Sequence, residues 1–131
     1  MPAELATFLG MGATSQGIPN LTLADFEGVS IRRPGFWLVD FSTAWCAPCR
    51  VLTPVLVTLA GELQGRLSIG AVDADEQIDV SQRFGVTAMP TLLLFRDGRV
   101  VAQKVGAMPR AKLLAWLASS GVEITQLRPA F

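Results

Sequence analysis

The sequence predicts a single α/β domain, a mixed β-sheet with helices on both faces. Short apolar runs rich in β-forming residues alternate with segments whose apolar residues recur at helical spacing, the pattern of strands separated by helices. Asp97-Gly98 stands between two such runs and is the strongest short hairpin signal in the chain, so the last two strands pair antiparallel. The chain has 131 residues, 50% of them hydrophobic and only 17% charged. That is the length of one domain, able to bury roughly two-thirds of its unfolded surface without a metal or a staple.

The elements follow in order. The first twenty residues are rich in small and turn-forming types (Gly10, Gly12, Gly17, Pro19, Asn20), which suggests a short helix and then a flexible lead-in. Leu21 to Arg33 has room for a short strand and a helix, closed by Pro34-Gly35. Phe36 to Ser42 is an apolar β-forming run that reads as a strand covered on both faces. A helix should start near Cys46, because Val51, Leu52, Val55, Leu56, Leu59 and Leu63 recur at helical spacing up to Gly65. Pro54 falls inside that helix, removes one backbone hydrogen bond and should kink it. Leu67 to Val72 reads as a strand and Asp75 to Phe84 as a helix stopped by Gly85. Thr91 to Arg96 and Arg99 to Val105 form the hairpin, and Pro109 opens a last helix carrying Leu113, Leu114 and Leu117 as far as Gly121. The order is β-α-β-α-β-α-β-β-α.

Composition removes whole classes of function. Eleven basic side chains balance eleven acidic ones, so no broad field attracts nucleic acid or anionic lipid. There is no histidine, which removes Ser-His and Cys-His catalytic pairs and every imidazole metal ligand. The two cysteines cannot complete a four-ligand zinc site within one chain and are too few for a secreted disulfide scaffold. They are a reactive pair, a structural pair or two inert thiols. No apolar run is long enough to span a membrane. The stretch from Leu5 to Ala13 faintly resembles a signal segment, but Glu4 is the only charge before it where Lys or Arg is needed, so the reading is cytoplasmic.

Trp45-Cys46-Ala47-Pro48-Cys49 lies between the buried strand and the long helix. Disulfide exchange needs a thiolate, and Cys46 falls where free backbone N–H groups and the helix dipole stabilise an anion. Two intervening residues bring Cys49 back within one helical turn, where it can attack a mixed disulfide formed at Cys46. Pro48 is tolerated in the first turn and stiffens it.

The segment Asp40-Phe41-Ser42-Thr43-Ala44-Trp45-Cys46-Ala47-Pro48-Cys49-Arg50 resembles the active site of thioredoxins. Further matches follow in order: Pro54, Val72-Asp73-Ala74-Asp75, Ala88-Met89-Pro90-Thr91, and Val105-Gly106-Ala107. The resemblance covers roughly Leu21 to Ser120, which implies a thioredoxin domain over residues 21–120, an N-terminal extension over 1–20 and a tail over 121–131. It implies a redox-active disulfide between Cys46, the exposed attacking cysteine, and Cys49, the buried resolving one. Asp40 would be the buried carboxylate beneath the pair and Pro90 a cis proline facing it. Trp45, Ala47, Pro48, Met89 and Gly106 would border the client groove.

Read without the family, these residues are less decisive. Asp40 in an apolar run is either buried with a raised pKa or exposed at a strand end. Pro90 at the start of a strand fits equally well in trans. Trp45 is either core or contact surface, and Met89 is ordinarily a gap-filler. The chain also departs from the pattern. Ala47 replaces the usual glycine between the cysteines, and Ala71 stands where many bacterial thioredoxins carry a lysine. Ser42 occupies a position where both Ser and Trp occur.

A free thiol has a pKa near 8.5. Lowering it to about 7 trades thiolate fraction against nucleophilicity for a net gain of roughly threefold at pH 7. A helix terminus with no added charge suits that moderate case, hence a reductant. The resemblance implies a protein-disulfide reductase with no bound cofactor, drawing electrons from NADPH through a thioredoxin reductase. It would act on disulfide-containing clients, as a monomer, with no metal, nucleic-acid or membrane partner. The alternatives are an oxidase or isomerase in an oxidising compartment, and a binding or folding helper built on the same fold.

Overall fold

The computed structural model describes residues 14–15, 17–27 and 33–124. β1 (Thr14–Ser15) and β2 (Ile18–Pro19) form a short antiparallel pair around Gly17, whose φ of 101° suits a residue without a Cβ. Next come α1 (Leu23–Glu27), β3 (Phe36–Ser42), α2 (Ala47–Glu62), β4 (Leu67–Asp73), α3 (Ile78–Arg83), β5 (Thr91–Arg96), β6 (Arg99–Val105) and α4 (Arg110–Ser119). The main sheet has the order β4-β3-β5-β6, with β3 parallel to β4 and antiparallel to β5, and β5 antiparallel to β6. Asn20 adds a parallel bridge to Ala71 at the β4 edge, and the Leu21 N–H donates to the Ala71 carbonyl at 2.7 Å. The sheet is mixed, with helices on both faces.

Alternation along β3 sends its side chains into two cores. Leu38 packs with Leu52, Leu56 and Leu59 of α2 and with Leu113 and Leu117 of α4. Trp37, Val39 and Phe41 face Phe26 of α1 and Val80 of α3. On that side Phe26, Phe84 and Phe95 form a ring cluster with centroids 5.4–5.9 Å apart, Phe84 standing edge-on to Phe95. Asp40, two residues after Leu38, belongs by period to the α2 face. Ile18 and Val122, on the flanks of the domain, also pack into the α2–α4 core.

Several local expectations shift. The short strand expected after Leu21 lies before it, at Ile18–Pro19, where it pairs with Thr14–Ser15 across the turn at Gly17 while Asn20 next to it bridges to Ala71. The helix expected in residues 1–20 lies outside the described residues for 1–13 and 16, and the described remainder pairs as β1 and β2. Residues 28–32 and 125–131 are likewise outside the description. The helix expected over Asp75 to Phe84 is only Ile78–Arg83. Its missing turn is taken by the Asp73 carboxylate, which accepts the N–H groups of Asp75 and Glu76 at 2.9 and 3.2 Å and bends the chain before the helix starts. Asp97 (φ 52°) and Gly98 (φ 86°) make the expected tight hairpin.

Candidate active site

α2 begins at the end of the buried strand β3. Cys46 is its N-cap residue, with an extended backbone, and its sulfur accepts the Cys49 N–H at 3.2 Å. Pro48 occupies the first turn, where a missing N–H costs nothing. Cys46 and Cys49 are joined by a disulfide, their Cα atoms 5.3 Å apart. In this oxidised form both cysteines are 3% exposed, so burial does not distinguish them as the sequence reading expected. The bond holds the two sulfurs against each other, and Cys46 Sγ is turned inward onto the Cys49 N–H.

Asp40 is 1% exposed, and one of its oxygens, Oδ1, has no hydrogen-bond partner. Burial raises its pKa from 3.8 to about 7, the carboxylate having lost its water with no cation in compensation. Its register partners are Ala71 on β4 and Leu92 on β5. Both pack in the core under α2, the helix that carries Cys49.

Trp45 is 69% exposed, on the surface and not in the core. Its indole Nε1–H donates to Asp75 Oδ2 at 2.9 Å, and the Arg50 guanidinium donates to the Ala44 carbonyl at 2.8 Å. The loop before Cys46 is thus tied down from both sides. Neither tether was assigned from sequence, although both residues lie within segments that carried the resemblance. Ala47 and Pro48 are exposed. The Met89–Pro90 peptide is cis, Met89 is half-buried against the ring-cluster core, and Pro90 is buried. The Pro90 carbonyl accepts the Gly106 N–H at 2.8 Å, which joins these two loops. Gly106 has φ 96°, a conformation that disfavours any side chain. Among the described residues no group of three potential His, Cys, Asp or Glu ligands clusters, and no helix is long and apolar enough to cross a membrane.

A sequence model of the thioredoxin family matches residues 17–119. The chain belongs to the thioredoxin family. A thioredoxin of Pseudomonas aeruginosa is 42% identical over 103 residues, covering 79% of this chain and 95% of that protein. A thioredoxin of Rhodospirillum rubrum is 38% identical over 97 residues (74% and 93%). Thioredoxin C-2 of Corynebacterium nephridii is 41% identical over 103 residues (79% and 95%). With the Cys46–Cys49 pair at the start of α2, this thioredoxin-family chain is a thiol-disulfide oxidoreductase of the protein-disulfide reductase type.

Proposed function

We propose that Cys46 is the attacking cysteine, Cys49 the resolving one and Asp40 the acceptor of the Cys49 proton. The observation that carries this is the position of Cys46 as the N-cap of α2, ahead of Cys49, on the helix that covers the buried carboxyl of Asp40. At the cap, free N–H groups and the positive end of the dipole favour the Cys46 thiolate. That thiolate attacks a client disulfide, the client S–S bond breaks, and one client sulfur leaves as thiolate. Cys49 then gives up its proton, which Asp40 can hold because its pKa of about 7 is close to ambient. The Cys49 thiolate attacks Cys46 Sγ, the second client thiol is released, and the Cys46–Cys49 disulfide remains.

The client groove of this proposal is bordered by Trp45, Ala47, Pro48, Met89, Pro90 and Gly106. Exposure of Trp45 and the Pro90–Gly106 hydrogen bond support it. The working unit is the segment 21–120 together with Ile18 and Val122, which its core takes in. It acts as a cytoplasmic monomer, returned to the dithiol state by a thioredoxin reductase fed by NADPH. Insulin reduction coupled to NADPH oxidation through such a reductase tests the proposal. Turnover should require both cysteines, and turnover that survives loss of Cys46 would reject the assignment.

A further inference from the structure

The eleven basic and eleven acidic side chains balance in number but not in place. β3 and β4 run parallel and start at one end of the sheet, β5 finishes at that end and β6 starts from it. Each of the four strand ends there carries an arginine. Arg66 directly precedes β4, Arg33 lies three residues before β3, Arg96 is the last residue of β5 and Arg99 the first of β6. In the order β4-β3-β5-β6 they stand side by side, and with strands about 4.8 Å apart the row is about 14 Å long. The segments 33–36, 65–68 and 96–99 that make this end hold one carboxylate, Asp97, whose Oδ1 already accepts the Gly35 N–H at 2.7 Å. Asp73, Asp75 and Glu76 lie at the opposite end, where β4 finishes.

The fold gains nothing evident from this row. Arg96 and Arg99 are register partners across β5 and β6, like charges directly opposite, which is destabilising. Arg66 is half-buried, and its Nη1 has no hydrogen-bond partner. A donor withdrawn from water without an acceptor is a further cost. None of Arg66, Arg96 and Arg99 makes an ion pair with a described residue. Two rings hold the row in place. The Arg33 guanidinium lies 5.1 Å from the Trp37 ring centroid, and that of Arg96 lies 5.3 Å from the Phe36 centroid. Stacking engages the face of the Arg96 guanidinium and leaves the N–H donors on its edge. At the starts of β3 and β4 is a hollow of about 330 Å³ with Arg33 and Arg66 on its walls and no carboxylate. Phe36 lines that hollow and also lies under Arg96, so the two halves of the row adjoin.

We propose that this end of the sheet is a binding site for a chain of phosphoryl groups, the chemistry shared by a nucleoside triphosphate and inorganic tripolyphosphate. One phosphoryl group sits in the hollow against Arg33 and Arg66, and the next ones pass Phe36 to meet Arg96 and Arg99. The guanidinium fork matches phosphate oxygens two at a time. A lone carboxylate or sulfate engages one pair of arginines, whereas a run of phosphoryl groups engages both and relieves the opposition of Arg96 to Arg99. No bond is made or broken. The site lies at the other end of the sheet from Cys46, and the inference holds whichever cysteine attacks.

Calorimetric titration of the full-length protein with tripolyphosphate, in magnesium-free buffer at fixed ionic strength, tests it. One saturable site should appear, with sulfate bound at least about tenfold more weakly. Arg66→Gln and Arg96→Gln should each weaken tripolyphosphate binding about tenfold or more, the usual loss for a charge-assisted contact. Lys104→Gln removes the same charge from the far part of β6, opposite Leu92, and should weaken it no more than about twofold. ATP bound more tightly than tripolyphosphate would identify the nucleotide as the ligand, and equal or weaker binding would identify the phosphate chain alone. Saturating tripolyphosphate should leave insulin reduction within about twofold. Absence of saturable binding, equal losses in Lys104→Gln and Arg66→Gln, or unchanged binding in folded Arg66→Gln and Arg96→Gln would overturn the inference. Competition between tripolyphosphate and insulin would also overturn it, since the ligand would then sit at the Cys46 end.

Discussion

Asp40 lies opposite Ala71 in the parallel register of β3 and β4, 1% exposed and with Oδ1 unpartnered. An alanine there offers the carboxylate neither charge nor hydrogen bond, so burial sets its pKa of about 7. The folded-state pKa is above the unfolded 3.8, so the folded protein holds the proton more tightly. The contribution of Asp40 to stability is therefore greatest below about pH 4, falls as pH rises toward 7 and is flat beyond, by at most about 4 kcal/mol in total. We expect Asp40→Asn to remove this slope and to be more stable than the parent at pH 8 by about 1–3 kcal/mol, part of the gain being offset by a buried amide short of partners. Urea denaturation at pH 5 and pH 8 measures it. A mutant less stable than the parent at pH 8 would show Asp40 to be an ordinary structural residue.

The same substitution separates the two chemical steps. Asp40→Asn should leave the first attack by Cys46 unchanged and slow release of the mixed disulfide about 10- to 100-fold near pH 7, the usual worth of a positioned proton acceptor. The deficit should shrink as pH rises and solvent takes the Cys49 proton. Single-turnover reduction of a peptide disulfide from pH 6 to 9 reads both steps. Equal release rates across that range would remove Asp40 from the mechanism.

Cys49→Ser should capture clients as mixed disulfides at Cys46, whereas Cys46→Ser should capture no protein client. The asymmetry follows from the N-cap position of Cys46 against the placement of Cys49 inside the helix. Non-reducing electrophoresis after mixing with insulin reads the difference. Protein adducts on Cys46→Ser would exchange the two roles.

How far the sequence reached depends on how local each signal is. Phe36–Ser42 and the hairpin strands Thr91–Arg96 and Arg99–Val105 fall where the pattern put them, because an apolar run and an Asp-Gly turn specify themselves within a few residues. Ile18–Pro19 could not be located, since a two-residue strand carries no apolar run of its own and exists only through its pairing with Thr14–Ser15 and the bridge that Asn20 next to it makes to Ala71. The start of α3 was misplaced because the Asp73 side chain competes with the helix for two N–H groups, a choice that propensity does not record. At the site, the spacing of Cys46 and Cys49 before a helix marked them as a candidate reactive pair, and the resemblance to thioredoxins supplied their disulfide. The Trp45–Asp75 and Arg50–Ala44 tethers were not, because each depends on how two segments dock.

Gly70 tests the docking of the segment at Asn20 and Leu21 that bridges to Ala71 of β4. A Cβ at Gly70 would stand 2.6 Å from Leu21 Cδ1 and 2.8 Å from its Cγ. Leu21 is 3% exposed, so it has little room to turn away. Gly70→Ala should cost about 1–3 kcal/mol, the range for overpacking. Thermal or urea unfolding gives the number, and a neutral or stabilising result would mean that residues 20–22 move aside freely.

Asp75 and Trp45 give the last prediction. An indole that is 69% exposed beside Cys46 would sample several rotamers if left free. The 2.9 Å bond from Nε1 to Asp75 holds it as a fixed wall, and the Asp73 side chain in turn fixes the Asp75 backbone. Both partners are on the surface, so Asp75→Ala should change stability by no more than about 0.5 kcal/mol. The effect should fall on binding instead. A wall that must be ordered at each encounter costs about 0.5–1.5 kcal/mol, which raises KM for insulin roughly 3- to 10-fold with little change in kcat. Asp75→Asn keeps a carbonyl oxygen to accept the indole N–H and should recover most of the loss. Reduction of glutathione disulfide, which has no extended surface to lay against Trp45, should not change in either variant. Steady-state kinetics with the two substrates decides the matter. A parallel loss on both, unrescued by Asn, would mean that Asp75 supports the loop as a whole and not the indole.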